Sequence, residues 1–280
     1  MRRAMTFLFF LLLIIFPKIS VEGARQGLIL WGFTLVPTLL PFFIATKSML
    51  QWRIPGKFLF PYLLFVGYFC GYPTGAVIVN QLYESKNITQ KQANLFICFC
   101  NHTSPAFLLN FVCYNYFKTQ YSAFKFLLPI YLSAVLWSLI FYFLFGQPEL
   151  FPKGEDIAAK KQTLEEIFME SIATIMKIGC FMLIFSILIQ ISFSLFMEHS
   201  IPCCLLSCFL EITSGIHFLS SCPISIQLKT ALIGALCSFG GYCSIAQVRS
   251  VLSKELSLFF YILFKLCTGT TTFILIYLAV

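Results

Sequence analysis

The stretch GYFCGYPTGA, residues 67–76, lies in one of the most apolar parts of the chain and carries glycines at 67, 71 and 75, with Pro73 between the last two. Glycine and proline are the poorest helix formers, yet the surroundings demand helix. Of 280 residues 59% are hydrophobic, 34 are Phe and only 11% are charged, against about a quarter charged in a soluble domain. Such a composition is that of a polytopic membrane protein. In hydrocarbon every backbone N–H and C=O must be paired, so non-helical backbone survives only where it is buried in protein or lines a polar cavity. Gly67, Gly71 and Gly75 permit close backbone approach, while Pro73 removes a donor and disfavours helix at Tyr72. The same GxxxGxxxG pattern also reads as a helix-packing face with a tolerated proline kink. The stretch alone leaves both readings open.

Outward from it, apolar segments fall at 25–50, 57–82, 93–117, 126–146, 164–197, 201–220, 228–250 and 256–280. Each spans or nearly spans a bilayer at about 20 residues per crossing. The net charge of +8 comes from cations scattered between these runs. They read as helix-end anchors and not as a nucleic-acid-binding face. Twelve cysteines mostly sit inside apolar runs, and Cys98/Cys100 and Cys203/Cys204 lack the spacing of a zinc site. They read as small apolar packing residues. Arg2 and Arg3 followed by the apolar run 4–16 resemble a signal peptide with a cleavage site near 21–24; the positive-inside bias favours instead a short uncleaved first membrane helix, 1–24, with a cytoplasmic N-terminus.

The one stretch of aqueous character is 147–166, with two prolines, a glycine and mixed charges. It ends in Thr163-x-x-Glu166, the capping-box spacing, and reads as a polar linker. It divides the chain into a helical half at 25–146 and another at 167–280. Each half runs through a long helix, two segments interrupted by helix breakers or polar residues, and a plain apolar helix. A matched pair of broken segments is the best sequence pointer to a transporter site. The expected fold is therefore an all-α polytopic membrane protein of two similar halves, with broken or re-entrant helices meeting near the bilayer midplane. Each interrupted segment is either one crossing or a re-entrant hairpin.

The other interruptions support a lined cavity. Thr89-x-x-Gln92 is a second capping box, and the helix it starts meets Asn101, His102, Thr103, Ser104 and Pro105 before a further apolar run. In the second half Glu211, Thr213, Ser214, Gly215 and His217 cluster, as do Gly240, Gly241, Ser244 and Gln247. Glu211 is the sharpest signal, because a lone carboxylate in an apolar run is costly unless protonated, paired or hydrated. It reads either as a functional acid or as the salt-bridge partner of Lys265. His217 reads as a proton shuttle or, more blandly, as a packing histidine.

Five motifs in order, PTLLPFFI (37–44), GYPTGA (71–76), CNHTSP (100–105), LEITSG (210–215) and FGGYCSIAQV (239–248), resemble the sporulation integral membrane proteins of the YlbJ type, also called stage V sporulation protein V. The resemblance covers nearly the whole chain after the first helix. It implies kinship with nucleoside-recognition, or Gate, domains, as in concentrative nucleoside transporters and ferrous iron transporters. It also implies a spore-forming bacterium and a role in moving dipicolinic acid across the outer forespore membrane. The substrate-binding residues expected are then Gly71, Tyr72, Pro73, Thr74 and Gly75 in the first broken segment and Asn101, His102, Thr103 and Ser104 in the second. Glu211, Thr213 and Ser214 would join them in the third, with Gly240, Gly241, Ser244 and Gln247 in the fourth.

Dipicolinate is a planar aromatic dianion; broken helices offer N-terminal amides to its carboxylates, and Tyr72 or a Phe a ring to stack on. A nucleoside would suit Asn101, Thr103, Glu211 and Gln247 equally well. No phosphate-binding GxxxxGK[ST] loop occurs, so the drive is left to a coupling ion, a solute gradient or a partner membrane protein. Neither an HExxH helix nor a GxSxG turn occurs. The expectation is therefore a non-enzymatic, cofactor-free transporter of a small solute in the lipid bilayer, with a non-transporting spore-assembly scaffold as the alternative. Bulk at Gly71 or Gly75 is expected to abolish transport while leaving membrane insertion near normal.

Overall fold

The computed structural model describes residues 2–49, 58–117, 122–145, 162–195 and 201–279, and all the regular elements among them are helical. Helix α1 is Arg2–Ile15. After Phe16, α2 (Pro17–Leu30) runs through a π-helical turn, Trp31–Leu35, into α3 (Val36–Met49). The break expected near residue 24 therefore lies at Phe16, where Pro17 supplies the fixed φ and missing donor that favour a helix start. Residues 17–24 belong to the following span.

Two short helices, α4 (Leu59–Phe69) and α5 (Thr74–Glu84), come next. Then α6 (Gln90–Phe99) leads through residues 100–104 to α7 (Pro105–Phe107) and a π-helical stretch, Leu108–Phe117. Helix α8 is Ala123–Leu144 and α9 is Leu164–Leu195. Residues 147–161 of the expected linker lie outside the described residues. The chain closes with α10 (Ile201–Leu210), α11 (Ile212–Ser221), α12 (Ile226–Phe239), α13 (Gly241–Val251) and α14 (Leu258–Ala279).

Both expected capping boxes form. Thr89 Oγ1 accepts from Gln92 N at 3.3 Å while Thr89 N donates to Gln92 Oε1 at 2.8 Å. Thr163 and Glu166 make the same reciprocal pair at 3.2 and 2.8 Å. Each satisfies two amides that a helix start otherwise leaves unpaired, which fixes where α6 and α9 begin.

Among the described residues five helical spans are long and apolar enough to cross a bilayer: Pro17–Met49, Ala123–Leu144, Leu164–Leu195, Ile226–Val251 and Leu258–Ala279. Large apolar side chains on them, such as Phe33, Phe143 and Leu278, face outward. So broad an exposed apolar surface needs lipid to cover it. Ile226–Val251, made of α12 and α13, is the most buried of the five and forms the axis of the molecule.

Glycine contacts decide how the broken segments run. A Cβ on Gly67 or on Gly75 would strike the same Cys100 backbone carbonyl, so α4 and α5 lie beside each other and the chain turns back at residues 70–73. Likewise Gly215 lies against the Cys208 backbone, so α10 and α11 turn back at Glu211. These two segments are hairpins. By contrast α12–α13 continues through Gly240 as one kinked span. The second arms of the hairpins leave their tips toward opposite ends of that span. Asn80 of α5 accepts from Ser253 N beyond α13 at 2.7 Å, whereas Lys229 Nζ near the start of α12 donates to the Ser220 carbonyl of α11 at 2.6 Å.

Helices α8, α12 and α14 are joined by a buried hydroxyl seam. Thr272 Oγ1 lies 2.7 Å from both Ser133 Oγ and Ser238 Oγ, and Trp137 Nε1 donates to Thr271 Oγ1 at 2.8 Å. Interhelical bonds of this kind contribute about 0.6–1.7 kcal/mol each in a membrane. Thr272→Val keeps the shape and takes away the resolved partner of Ser238 Oγ, while Ser133 Oγ keeps its bond to the Ile130 carbonyl, so it is expected to lower stability by roughly 1–2 kcal/mol, read as a lower melting temperature in detergent. An unchanged melting temperature would show that the seam contributes nothing.

Candidate functional site

Each helix break leaves unpaired backbone groups, and the local sequence accounts for most of them. At the first hairpin tip Gly71 has φ +76, a left-handed conformation that favours glycine, and the Tyr72–Pro73 peptide is cis. The Asn101 side chain joins this tip to the break after α6. Its Oδ1 accepts from Ala76 N at 3.0 Å, in the first turn of α5, and its Nδ2 donates to the Ile97 carbonyl at 2.9 Å, in the last turn of α6. An amide is the group suited to this position because it carries an acceptor and a donor on one plane.

At the second tip Glu211 stands alone between α10 and α11. It is 2% exposed and caps α11 with both carboxylate oxygens, accepting from Thr213 N at 2.8 Å and Ser214 N at 2.6 Å. An acidic N-cap also opposes the positive end of the helix dipole. Lys265 is not its partner: Lys265 Nζ donates to the Ser238 carbonyl at 3.3 Å and lies 5.9 and 5.6 Å from the ring centroids of Tyr72 and Tyr261. The salt-bridge reading of Glu211 is thereby replaced by a capping role.

The fourth break carries two successive left-handed residues, Gly240 (φ +87) and Gly241 (φ +75). The Cys208, Phe209 and Leu210 carbonyls lie 3.3–3.5 Å from where a Gly241 Cβ would be, so the C-terminal end of α10 rests on the first turn of α13. Opposite dipole ends meet there.

These four features surround one narrow cavity of about 40 Å³. The first hairpin contributes Gly71 and Tyr72, and the break after α6 contributes Thr103 and Ser104. Glu211 and Thr213 come from the second hairpin, and Gly240, Ser244 and Gln247 from the kinked axis. Nine of the sixteen residues singled out in the sequence thus line a common space. The remaining seven do not. Gly75 packs on Cys100, Asn101 spends its amide between helix ends, and Thr74 and Ser214 are buried on their helix starts. His102 Nε2 donates to the Phe99 carbonyl at 3.0 Å, with its ring 4.5 Å from that of Tyr68. Gly241 receives the α10 carbonyls, and Pro73 faces a second cavity. His217 is exposed and reaches Tyr116 Oη at 3.3 Å, away from the cavity lining.

Sequence reasoning missed the apolar wall: Leu35 and Leu39, Phe107, Ile178 and Met182 on α9, and Cys243. A signal existed for the first two in Pro37 and Pro41, which interrupt an otherwise plain span just after the π-helical turn.

The second cavity, about 390 Å³, shares Ile178 and Gln247 with the first and opens beside Lys47, Asn80, Glu84, Glu170 and Lys177. Lys47 Nζ pairs with Glu170 Oε2 at 3.1 Å, tying the end of α3 to the start of α9. It forms a polar vestibule at the end of the molecule where α5 and α13 finish.

No family model matches the chain, and no solved structure matches it. The chain is similar to the sporulation integral membrane protein YlbJ of Bacillus subtilis (strain 168), at 24% identity over 295 residues covering 85% of this chain and 72% of that protein. This similarity supports a place for the chain among the YlbJ-type integral membrane proteins, in agreement with the five ordered motifs.

Proposed function

We propose that this integral membrane protein transports a small polar or anionic solute, with dipicolinic acid as the first candidate and the outer forespore membrane as its place of work. The observation that carries the reading is the convergence of two hairpin tips and two helix breaks on one buried cavity. Backbone is broken at depth only where the break is buried or serves a cavity, and here four breaks share one. Hairpin arms that leave toward opposite ends suit two similar halves, 25–146 and 167–280, moving against each other around a fixed centre. The relative's name, a sporulation integral membrane protein, ties that protein to spore formation and favours the same setting for this chain.

The vestibule suits a small polar cargo. Its volume of about 390 Å³ lies in the range of about 300–1,000 Å³ common for small-molecule sites. Two lysines and two carboxylates, Glu84 and Glu170, line it; Lys47 is held by Glu170, which leaves Lys177 to meet a carboxylate of the solute, with Gln81 beside it for a hydrogen bond. The central cavity, at about 40 Å³, admits water-sized occupants only. A planar aromatic diacid would therefore wait in the vestibule until the tips separate, with Gln247 and Ile178 at the threshold. No step of this cycle requires a chemical reaction by the protein.

Counterflow in proteoliposomes tests the proposal. Vesicles preloaded with dipicolinate should accumulate labelled dipicolinate above the level of protein-free vesicles, with excess uridine failing to compete. Counterflow of uridine in place of dipicolinate would transfer the function to nucleosides. Absence of counterflow with either, in protein shown to be folded, would overturn transport in favour of a scaffold.

A further inference from the structure

Few protons are left to give among the polar side chains of the central cavity whose hydrogen bonds are resolved. Thr103 Oγ1 donates to the Cys237 carbonyl, and Ser244 Oγ donates to the Gly241 carbonyl at 2.9 Å. Gln247 Nε2 donates to Cys243 Sγ at 3.3 Å, while its Oε1 is buried without a hydrogen-bond partner in a residue 4% exposed. Glu211 accepts one amide on each oxygen and keeps a second lone pair on each. Ser104, which accepts from Phe107 N at 3.3 Å, and the second N–H of Gln247 Nε2 are the donors that remain. The lining of this water-sized space thus holds several oxygen acceptors, one of them a carboxylate, beside the hydroxyls of Tyr72, Ser104 and Thr213, and among the described residues Glu211 has no ion-paired cation. A carboxylate held so deep is costly until something positive joins it, and the half-charge of the α11 dipole offsets only part of it.

We propose that the cavity binds one dehydrated monovalent cation, held by the Glu211 carboxylate, Gln247 Oε1 and the hydroxyl oxygens of Thr103 and Ser244. Size and charge argue for the monovalent class. A divalent ion takes six to eight oxygens, usually from more than one carboxylate, or keeps much of its water, and a cavity of about 40 Å³ with one acid provides neither. The ligands come from the break after α6, the second hairpin tip and α13, so the ion joins three elements that must part for a solute to pass. For an anionic solute the ion also removes the repulsion from Glu211, which would make the two bind in order, cation first. That coupling rests on the transport reading; the binding site itself does not.

The test uses the purified full-length chain in detergent without any solute, following its melting temperature as sodium chloride replaces choline chloride at constant ionic strength. A saturable rise with sodium is expected, since a ligand that binds only the folded state stabilises it by mass action. Gln247→Leu, which removes the unpartnered oxygen, should raise the half-saturating sodium concentration about tenfold or more, the equivalent of about 1.4 kcal/mol. Ser244→Ala, a milder change on the same element, should shift it in the same direction. A rise that is the same in choline, or unaltered in both variants, would overturn the site. So would a response to pH but not to sodium, which would mean a proton on Glu211, and so would saturation by micromolar calcium or magnesium. Sodium binding without counterflow of either dipicolinate or uridine would leave the site standing and remove the transport reading; counterflow without sodium binding would do the reverse.

Discussion

A leucine in place of Gly75 is expected to remove the protein from the membrane, with abundance falling to near the detection limit. The Cβ alone would fall on the carbonyl group of Cys100, and Gly67 faces the same carbonyl from the other arm of the hairpin. Backbone cannot step aside as a side chain can, so either the hairpin opens or α6 moves. Both would disrupt the Asn101 bonds that satisfy the two neighbouring helix ends. A loss beyond about 4 kcal/mol is exceptional for one substitution and is expected where several such costs coincide. This revises the expectation that bulk here would stop transport at near-normal abundance. Gly71 separates the two effects better. Its positive φ and a Ser104 Cβ at 3.3 Å make Gly71→Ala strained yet sterically tolerable, and it faces the cavity. Membrane abundance and size-exclusion profiles for Gly75→Leu and Gly71→Ala decide the matter. A well-folded, abundant Gly75→Leu would show that the hairpin does not depend on this contact.

The positions of the breaks are legible in the sequence, because Gly, Pro, Asn and a lone Glu are costly inside an apolar helix and tolerated where the helix ends. Their course is not. Residues 70–73 turn the chain back while Gly240–Gly241 lets it pass, although both stretches are rich in breakers. The difference lies in what they meet: Cys100 presents a carbonyl to both arms of the first hairpin, and the α10 carbonyls rest on Gly241. Such contacts join residues far apart in the chain and leave no periodic trace. Asn101 and His102 read as solute contacts in the sequence because polar residues at depth suggest a ligand. The structure spends them on helix ends and on the Phe99 carbonyl instead, a role the sequence cannot distinguish from binding. The apolar wall on α9 is invisible for the opposite reason, since Ile178 and Met182 look like any other residues of a long membrane helix.

Glu211→Gln should cut dipicolinate counterflow by at least about tenfold, a factor worth about 1.4 kcal/mol, while lowering stability only modestly. Glutamine retains one acceptor oxygen for the α11 amides but turns an NH2 toward the other, so part of the cap is lost, at about 1 kcal/mol. The charge that makes the cavity attract a cation is lost completely. Lys265→Met behaves differently. The ammonium is fully buried and its resolved hydrogen bond goes to the Ser238 carbonyl. Replacing it by an apolar chain of similar length should be neutral or mildly stabilising, as it often is for buried ionic groups replaced by well-packed apolar ones. If the two residues were an ion pair, the double variant would recover what the singles lose, because removing one partner strands the other. Since Glu211 is bonded to Thr213 and Ser214, and Lys265 to Ser238, the double variant should show the sum of the two stability changes to within about 0.5 kcal/mol and counterflow no better than Glu211→Gln alone. Recovery of melting temperature or counterflow beyond that sum would reinstate the ion pair and withdraw the capping and cation-binding roles assigned to Glu211.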